Sequence, residues 1–138
     1  MTLEANARET LERWHRMVAA GDLSQVASLC APEAVFRSPV AHTPYRGAEL
    51  VAAFLQQAVQ TFSDFRYHRT FTDGESSVVL EFSAKAGDKE LKGIDMIRFD
   101  QAGRIVDFEV MVRPAGGLQA LGAEMARRMT PILAAKQR

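Results

Sequence analysis

The 138-residue chain has a single cysteine, Cys30, so it can form no internal disulfide and no cysteine-based metal cluster. Cys30 follows the apolar helical positions Val26 and Leu29, which suits a buried small hydrophobe. Charge of one sign is also missing. The 17 basic and 17 acidic residues cancel, against the basic excess of a nucleic-acid or membrane-surface protein. The basic residues Arg127, Arg128, Lys136 and Arg138 gather where cations suit a helix end. No apolar run nears the roughly 18 residues of a membrane span, and the opening MTLEANARETLE has acids where a signal peptide has its apolar stretch. Three histidines, His15, His42 and His68, are dispersed without metal-ligand spacing. There is no G-x-S-x-G, phosphate loop or dinucleotide fingerprint. These absences predict a soluble, cytoplasmic protein, one domain over 1–138, with no metal, no cofactor, no nucleic acid and no membrane among its partners.

What is present is a change of period. Leu3, Ala7, Leu11, Trp14 and Val18 recur at the helix spacing over 3–20 and stop before Gly21. Asp22 with Gln25 three places on forms a capping-box pattern opening a short helix to about Leu29. Ala34–Ser38 is a short strand ended by Pro39, and the loop VAHTPYRG follows. Leu50, Val51, Phe54, Leu55, Ala58 and Phe62 stripe a third helix from about Ala48. After Ser63 four extended segments appear, near 64–72, 76–86, 89–99 and 104–113, joined by the short turns TDGE, AGDK and DQAGR. Leu118, Leu121, Met125, Met129 and Ile132 then mark a terminal helix that Thr130-Pro131 should break or kink. Helices first and an antiparallel meander second is an α+β pattern. The expected architecture is a cone: a curved antiparallel sheet packed against three N-terminal helices, plus a C-terminal helix.

One residue breaks the pattern of the meander. In LKGIDMIRFDQ, Asp95 alternates with Leu91, Gly93, Ile97 and Phe99, which places a carboxylate on the apolar side. A lone buried charge costs several kcal/mol or forces its pKa to move. Asp95 is therefore either a pocket acid or a carboxylate satisfied by nearby backbone or an arginine. The apolar sets expected around it are Trp14, Phe54, Val78, Leu80, Phe82, Leu91, Phe108, Val110 and Val112. Tyr67 falls with the apolar set of its strand, and His68 outside. His15 lies about 100° round the helix from Trp14, on the flank of the buried stripe. His42 and Tyr45 sit in the loop beside the strand end carrying Ser38, where a histidine base or a hydroxyl would reach a pocket mouth. The reverse sheet face mixes Ile94, Met96 and Met111 with Glu81, Arg98, Glu109 and Arg113, a composition suited to an interface between copies of the chain.

The element order, with AAGDLSQVASLCAPEAVFRSP, YRGAELVAAF and GIDMIRFDQAGRIVDFEVM, resembles the nuclear transport factor 2-like superfamily, and within it the SnoaL-like polyketide cyclases and ketosteroid isomerase. The resemblance runs from about Leu11 to Pro114. It implies a cone-shaped fold and homodimerisation through the outer sheet face. It also puts Asp95 where the isomerase holds a protonated aspartic acid that donates to a substrate oxyanion. Ser38 stands at the isomerase's general-base aspartate, and serine takes no proton near neutral pH. Trp14 stands at its oxyanion tyrosine, and Cys30 and Leu55 at the two supporting tyrosines. The likeness therefore does not carry the isomerase's own route.

Three functional classes remain open. An enzyme would use Asp95 as acid or base with His42, Tyr45 or Trp14 in an isomerase, cyclase or hydratase reaction. A binding protein would hold a small hydrophobic, oxygen-bearing molecule without chemistry. A dimerisation module would have no room for a ligand.

Overall fold

The computed structural model describes residues 2–136, so Arg138 of the basic cluster lies outside the described residues. Helix α1 (Ala5–Ala20) buries Ala7, Thr10 and Trp14, three positions of one stripe. It ends at Gly21, whose φ of 66° is the left-handed conformation that closes a helix, its N–H returning to Met17 and Val18 carbonyls. The capping box expected at Asp22 does not form. Asp22 Oδ1 instead accepts from the N–H of Ser24, only two residues on, which closes a tight turn. The next element is accordingly a 3₁₀ turn, Val26–Leu29, rather than a short α-helix.

Strand β1 (Cys30–Arg37) and the two-residue β2 (Tyr45–Arg46) precede α2 (Ala48–Thr61), which buries Val51, Ala52, Phe54 and Leu55. Four long strands follow: β3 (Phe62–Thr72), β4 (Ser77–Ala86), β5 (Lys89–Phe99) and β6 (Ile105–Arg113). They form an antiparallel meander within one open, curved, six-stranded sheet of order β2-β1-β6-β5-β4-β3. The sheet is not wholly antiparallel, because β1 runs parallel to β6. The intervening β2, α2 and the first three strands of the meander make that long-range pairing possible, and local sequence carries no signal for it. The helical complement also differs from three N-terminal helices. Two α-helices and a 3₁₀ turn precede the meander, and a long α3 (Ala115–Lys136) follows it.

Helix α3 packs on α2 and on β4–β6. Pro131 lies inside it and does not break it. Pro131 and Arg127, four residues before, are both exposed, so the carbonyl that loses its N–H partner sits on the solvent side. Two features bend and fill the sheet. Strand β3 carries two register shifts, between Ser63 and Arg66 and between Tyr67 and Thr70, and such bulges bend a strand and re-aim its side chains. Gly93 on β5 makes room for the ring of Phe82, since a Cβ there would meet Phe82 Cζ at 2.6 Å and the Met111 carbonyl at 2.5 Å.

Candidate functional site

The alternation of β5 delivers Asp95 to the covered side of the sheet, where it is 6% exposed. Its register partners are Leu80 and Val110, so the strands supply apolar neighbours and no counter-charge. The carboxyl forms no salt bridge among the described residues. Its partner is Tyr67, whose hydroxyl donates to Asp95 Oδ2 at 2.6 Å. Trp14 in turn donates its indole N–H to the Tyr67 oxygen at 3.0 Å. Helix α1, strand β3 and strand β5 therefore meet in one polar chain of three side chains, Trp14 to Tyr67 to Asp95. The rest of the surroundings is apolar.

Burial pushes the Asp95 carboxyl up from 3.8 to about 7, and the Tyr67 hydrogen bond opposes that only in part. The Tyr67 phenol is held well above its ordinary range by burial and by the neighbouring carboxylate. Tyr67 is thus a neutral donor at physiological pH and no base. Because Oδ2 accepts from Tyr67, the proton of a neutral Asp95 falls to Oδ1. Among the described residues no buried side-chain nitrogen or oxygen lacks a partner, so Oδ1, which takes no protein hydrogen bond, is open to the space beside it.

That space is a cavity of about 870 Å³, ample for a ligand of two or three fused rings. Of the residues expected there, Trp14, Ser38, Tyr45, Phe54, Asp95, Phe108 and Val110 form its wall. Trp14 meets Phe108 edge-on at 5.3 Å, so it packs and donates at once. Tyr45 leans on Phe54 with ring centroids 4.4 Å apart. Ser38 accepts a hydrogen bond from the N–H of Val40, which shapes the turn after β1.

The other expected residues lie elsewhere. Val78 and Leu80 are sealed in the main core, and Phe82, Leu91 and Val112 belong to a second apolar cluster with Leu121. All five face the covered side, as alternation demands, but other side chains of the two apolar clusters fill the space over them. His42 is exposed on its loop and does not reach the cavity wall.

Two ionisable wall residues, Tyr67 and His15, were not placed at the site by the sequence. Tyr67 carried a usable signal, since a tyrosine in an apolar set needs a partner for its hydroxyl and Asp95 needed a donor. The two bulges of β3 hide the register that joins them. His15 is half-buried on the wall, its imidazole edge-to-face with Tyr67 at 5.2 Å, and burial lowers its pKa below the usual histidine value. Cys30 is buried and its thiol is pushed up to about 11, which makes it inert. Among the described residues no group of three or more His, Cys, Asp or Glu could hold a metal ion, and no helix is long and apolar enough to cross a membrane.

The SnoaL-like domain family matches residues 11–108, the stretch from α1 into β6. Helix α3 lies beyond that stretch, yet its Leu121, Met125, Met129 and Leu133 complete the cavity wall. No protein of curated function matches the chain in sequence. Among solved structures, a steroid delta-isomerase from Pseudomonas aeruginosa is 58% identical with a TM-score of 0.93, covering 97% of this chain and 98% of that one. An uncharacterised protein with a cystatin-like fold from Silicibacter pomeroyi is 36% identical with a TM-score of 0.82, covering 88% and 85%. A nuclear transport factor 2-like protein of unknown function from Mesorhizobium loti, 17% identical over 83% and 100% with a TM-score of 0.69, shares the fold. The chain belongs to the SnoaL-like domain family, with a nuclear transport factor 2-like fold.

Proposed function

We propose that the protein binds a small, largely apolar molecule carrying a ketone oxygen and polarises that oxygen through a neutral Asp95, in a reaction of the isomerase or cyclase class. The observation that carries this is the carboxyl itself. It stands at the wall of an apolar cavity with no cation beside it and with Tyr67 bonded to one oxygen only. A protonated Oδ1 is a strong directional donor in a dry site, where a hydrogen bond to developing negative charge is worth most. The description of the 58% identical Pseudomonas aeruginosa protein as a steroid delta-isomerase supports the same reaction class. A second reading, binding without chemistry, is favoured by Ser38, which leaves no proton acceptor at the mouth of β1.

The chain's single tryptophan is Trp14, on the cavity wall, so intrinsic fluorescence reports occupancy directly. With 2-acetylnaphthalene, a ketone that only accepts hydrogen bonds, a saturable change is expected at tens of micromolar at pH 6, weakening as pH rises past about 7, where Asp95 ionises. An Asp95→Asn variant keeps an N–H donor and should bind without that pH dependence. A flat titration for the wild type, or binding equally tight at pH 9, overturns the reading.

The outer sheet face is the proposed homodimer interface. Met96 and Met111 are 36% and 44% exposed there, among charged neighbours, and large exposed apolar groups on a sheet face mark an interaction surface. The double change Met96→Lys with Met111→Glu should convert dimer to monomer in sedimentation; a wild type that is monomeric at micromolar concentration removes the interface.

A further inference from the structure

The cavity wall is poor in chemistry. Its ionisable side chains are His15 from α1, Tyr45 from β2, Tyr67 from β3 and Asp95 from β5, and β1, α2, β6 and α3 contribute none. Tyr67 is committed between Trp14 and Asp95. His15 makes no side-chain hydrogen bond among the described residues, and its ring rests against the Tyr67 ring. The imidazole and the carboxyl are therefore one phenol ring apart on the same wall, with the same tyrosine touching both. Both groups line the same cavity, so one ligand can meet the carboxyl through its carbonyl oxygen and the imidazole through a nearby carbon.

We propose that His15 is the general base of this site, taking a proton from a carbon next to, or conjugated with, a ketone held by Asp95. The inference rests on the ligand reading above and supplies the acceptor that Ser38 cannot. The imidazole nitrogen takes the proton, and the C–H electron pair becomes the carbon–carbon double bond of an enol. The carbonyl π pair moves to oxygen, which takes the Oδ1 proton of Asp95. In the return step the enol O–H goes back to Asp95 and the imidazolium delivers its proton to carbon, at the original position or at the far end of a conjugated system. The first outcome exchanges hydrogen with solvent, and the second shifts a double bond. The protonation states suit this division. Burial holds His15 in its free-base form and Asp95 in its acid form over a shared range below about pH 7, the pattern of two groups whose environments separate an acid from a base. The cause of the His15 shift is burial, with no charged neighbour contributing.

The test is hydrogen exchange into 1-tetralone in deuterated buffer, read by mass spectrometry, with binding followed by Trp14 fluorescence in the same samples. Wild type should accelerate deuterium uptake next to the carbonyl, with a bell-shaped pH profile. His15→Gln should bind 1-tetralone within about twofold of wild type and lose about 100-fold of the exchange rate, the size expected of a general base, together with the acid limb of the profile. His15→Ala should regain exchange on addition of imidazole, which a purely structural role would not allow. His68→Gln, on the opposite sheet face, should exchange as wild type. Wild type that binds 1-tetralone without accelerating exchange overturns the base assignment and leaves the ligand reading standing. His15→Gln exchanging at the wild-type rate also overturns it. Failure of 1-tetralone to bind at all overturns the ligand reading and this inference with it.

Discussion

Asp95 and Glu81 are both 6% exposed, sit on neighbouring strands one register step apart, and meet opposite fates. Glu81 points to the outer face of β4, where Arg69 grips both its oxygens at 2.8 Å and Lys92 adds a contact at 2.7 Å. Hydrogen bonds from Arg69 and then Lys92 hold it far below the usual carboxylate range. Asp95 points inward to hydrocarbon and a phenol, and burial drives it up to about 7. The two are covered by different things. Glu81 lies under its own cations at the surface, while Asp95 lies under helices at a cavity wall. Equal exposure therefore says little about charge, and the identity of the covering atoms decides it. The outer carboxylate is an anchor for three strands, and the inner one is held towards its protonated form.

The largest break in this comparison is expected from Asp95→Asn. A carboxyl raised in the folded state contributes stability that is fully present below its unfolded pKa and is lost as pH rises through the folded value. A rise from 3.8 to about 7 corresponds to ~4 kcal/mol by pH 8. Asn cannot ionise, so urea melts should show the variant gaining up to that amount over wild type at pH 8 and little at pH 4. Tyr67→Phe comes next. It leaves the Trp14 N–H without its acceptor, for a loss of ~1–3 kcal/mol. It also removes the one contact favouring ionised Asp95, so the Asp95 midpoint should move further up; a downward move would show that Tyr67 stabilises the neutral form.

The smallest effect belongs to Glu81→Gln, because Arg69 and Lys92 are themselves well exposed and water screens them. A depressed carboxylate contributes stability present above its unfolded pKa and lost as pH falls towards the folded one. Glu81→Gln should therefore melt lower than wild type at pH 7 and converge with it in strong acid. Added salt should narrow the Glu81 difference and leave the Asp95 difference almost unchanged. The opposite salt pattern would mean that the two carboxylates have exchanged characters.

The sequence made the strands and the direction of Asp95 legible because period two in β4–β6 is strict and each turn is short. The side chains that follow alternation, Val78, Leu80, Phe82, Leu91 and Val112, were correctly turned inward but not correctly separated from the cavity. Facing a covered side is a local property, whereas lining a space depends on what the other side chains of the apolar clusters fill. Tyr67 was hidden for a related reason, since its approach to Asp95 depends on two bulges that shift the β3 register. His15 looked like a flank position of α1 and is half-buried as such, but only the curvature of the sheet beneath it makes that flank a cavity wall. His42 drew notice through its loop, and a loop beside a strand end has no pattern that fixes where a side chain points. Pro131 shows the reverse error, a strong local signal overridden where the helix face is wet.

The central claim is that Asp95 keeps its proton up to about pH 7 because no cation among the described residues pairs with it. Carbon-13 labelling of the aspartate carboxyl groups, with Asp95→Asn to assign its resonance, allows the group to be titrated in the intact protein. A midpoint near 7 is the result this account predicts. A midpoint at or below about 4, the ordinary aspartate value, would contradict it and leave Asp95 ionised in the cavity wall, unable to donate to a ligand oxygen.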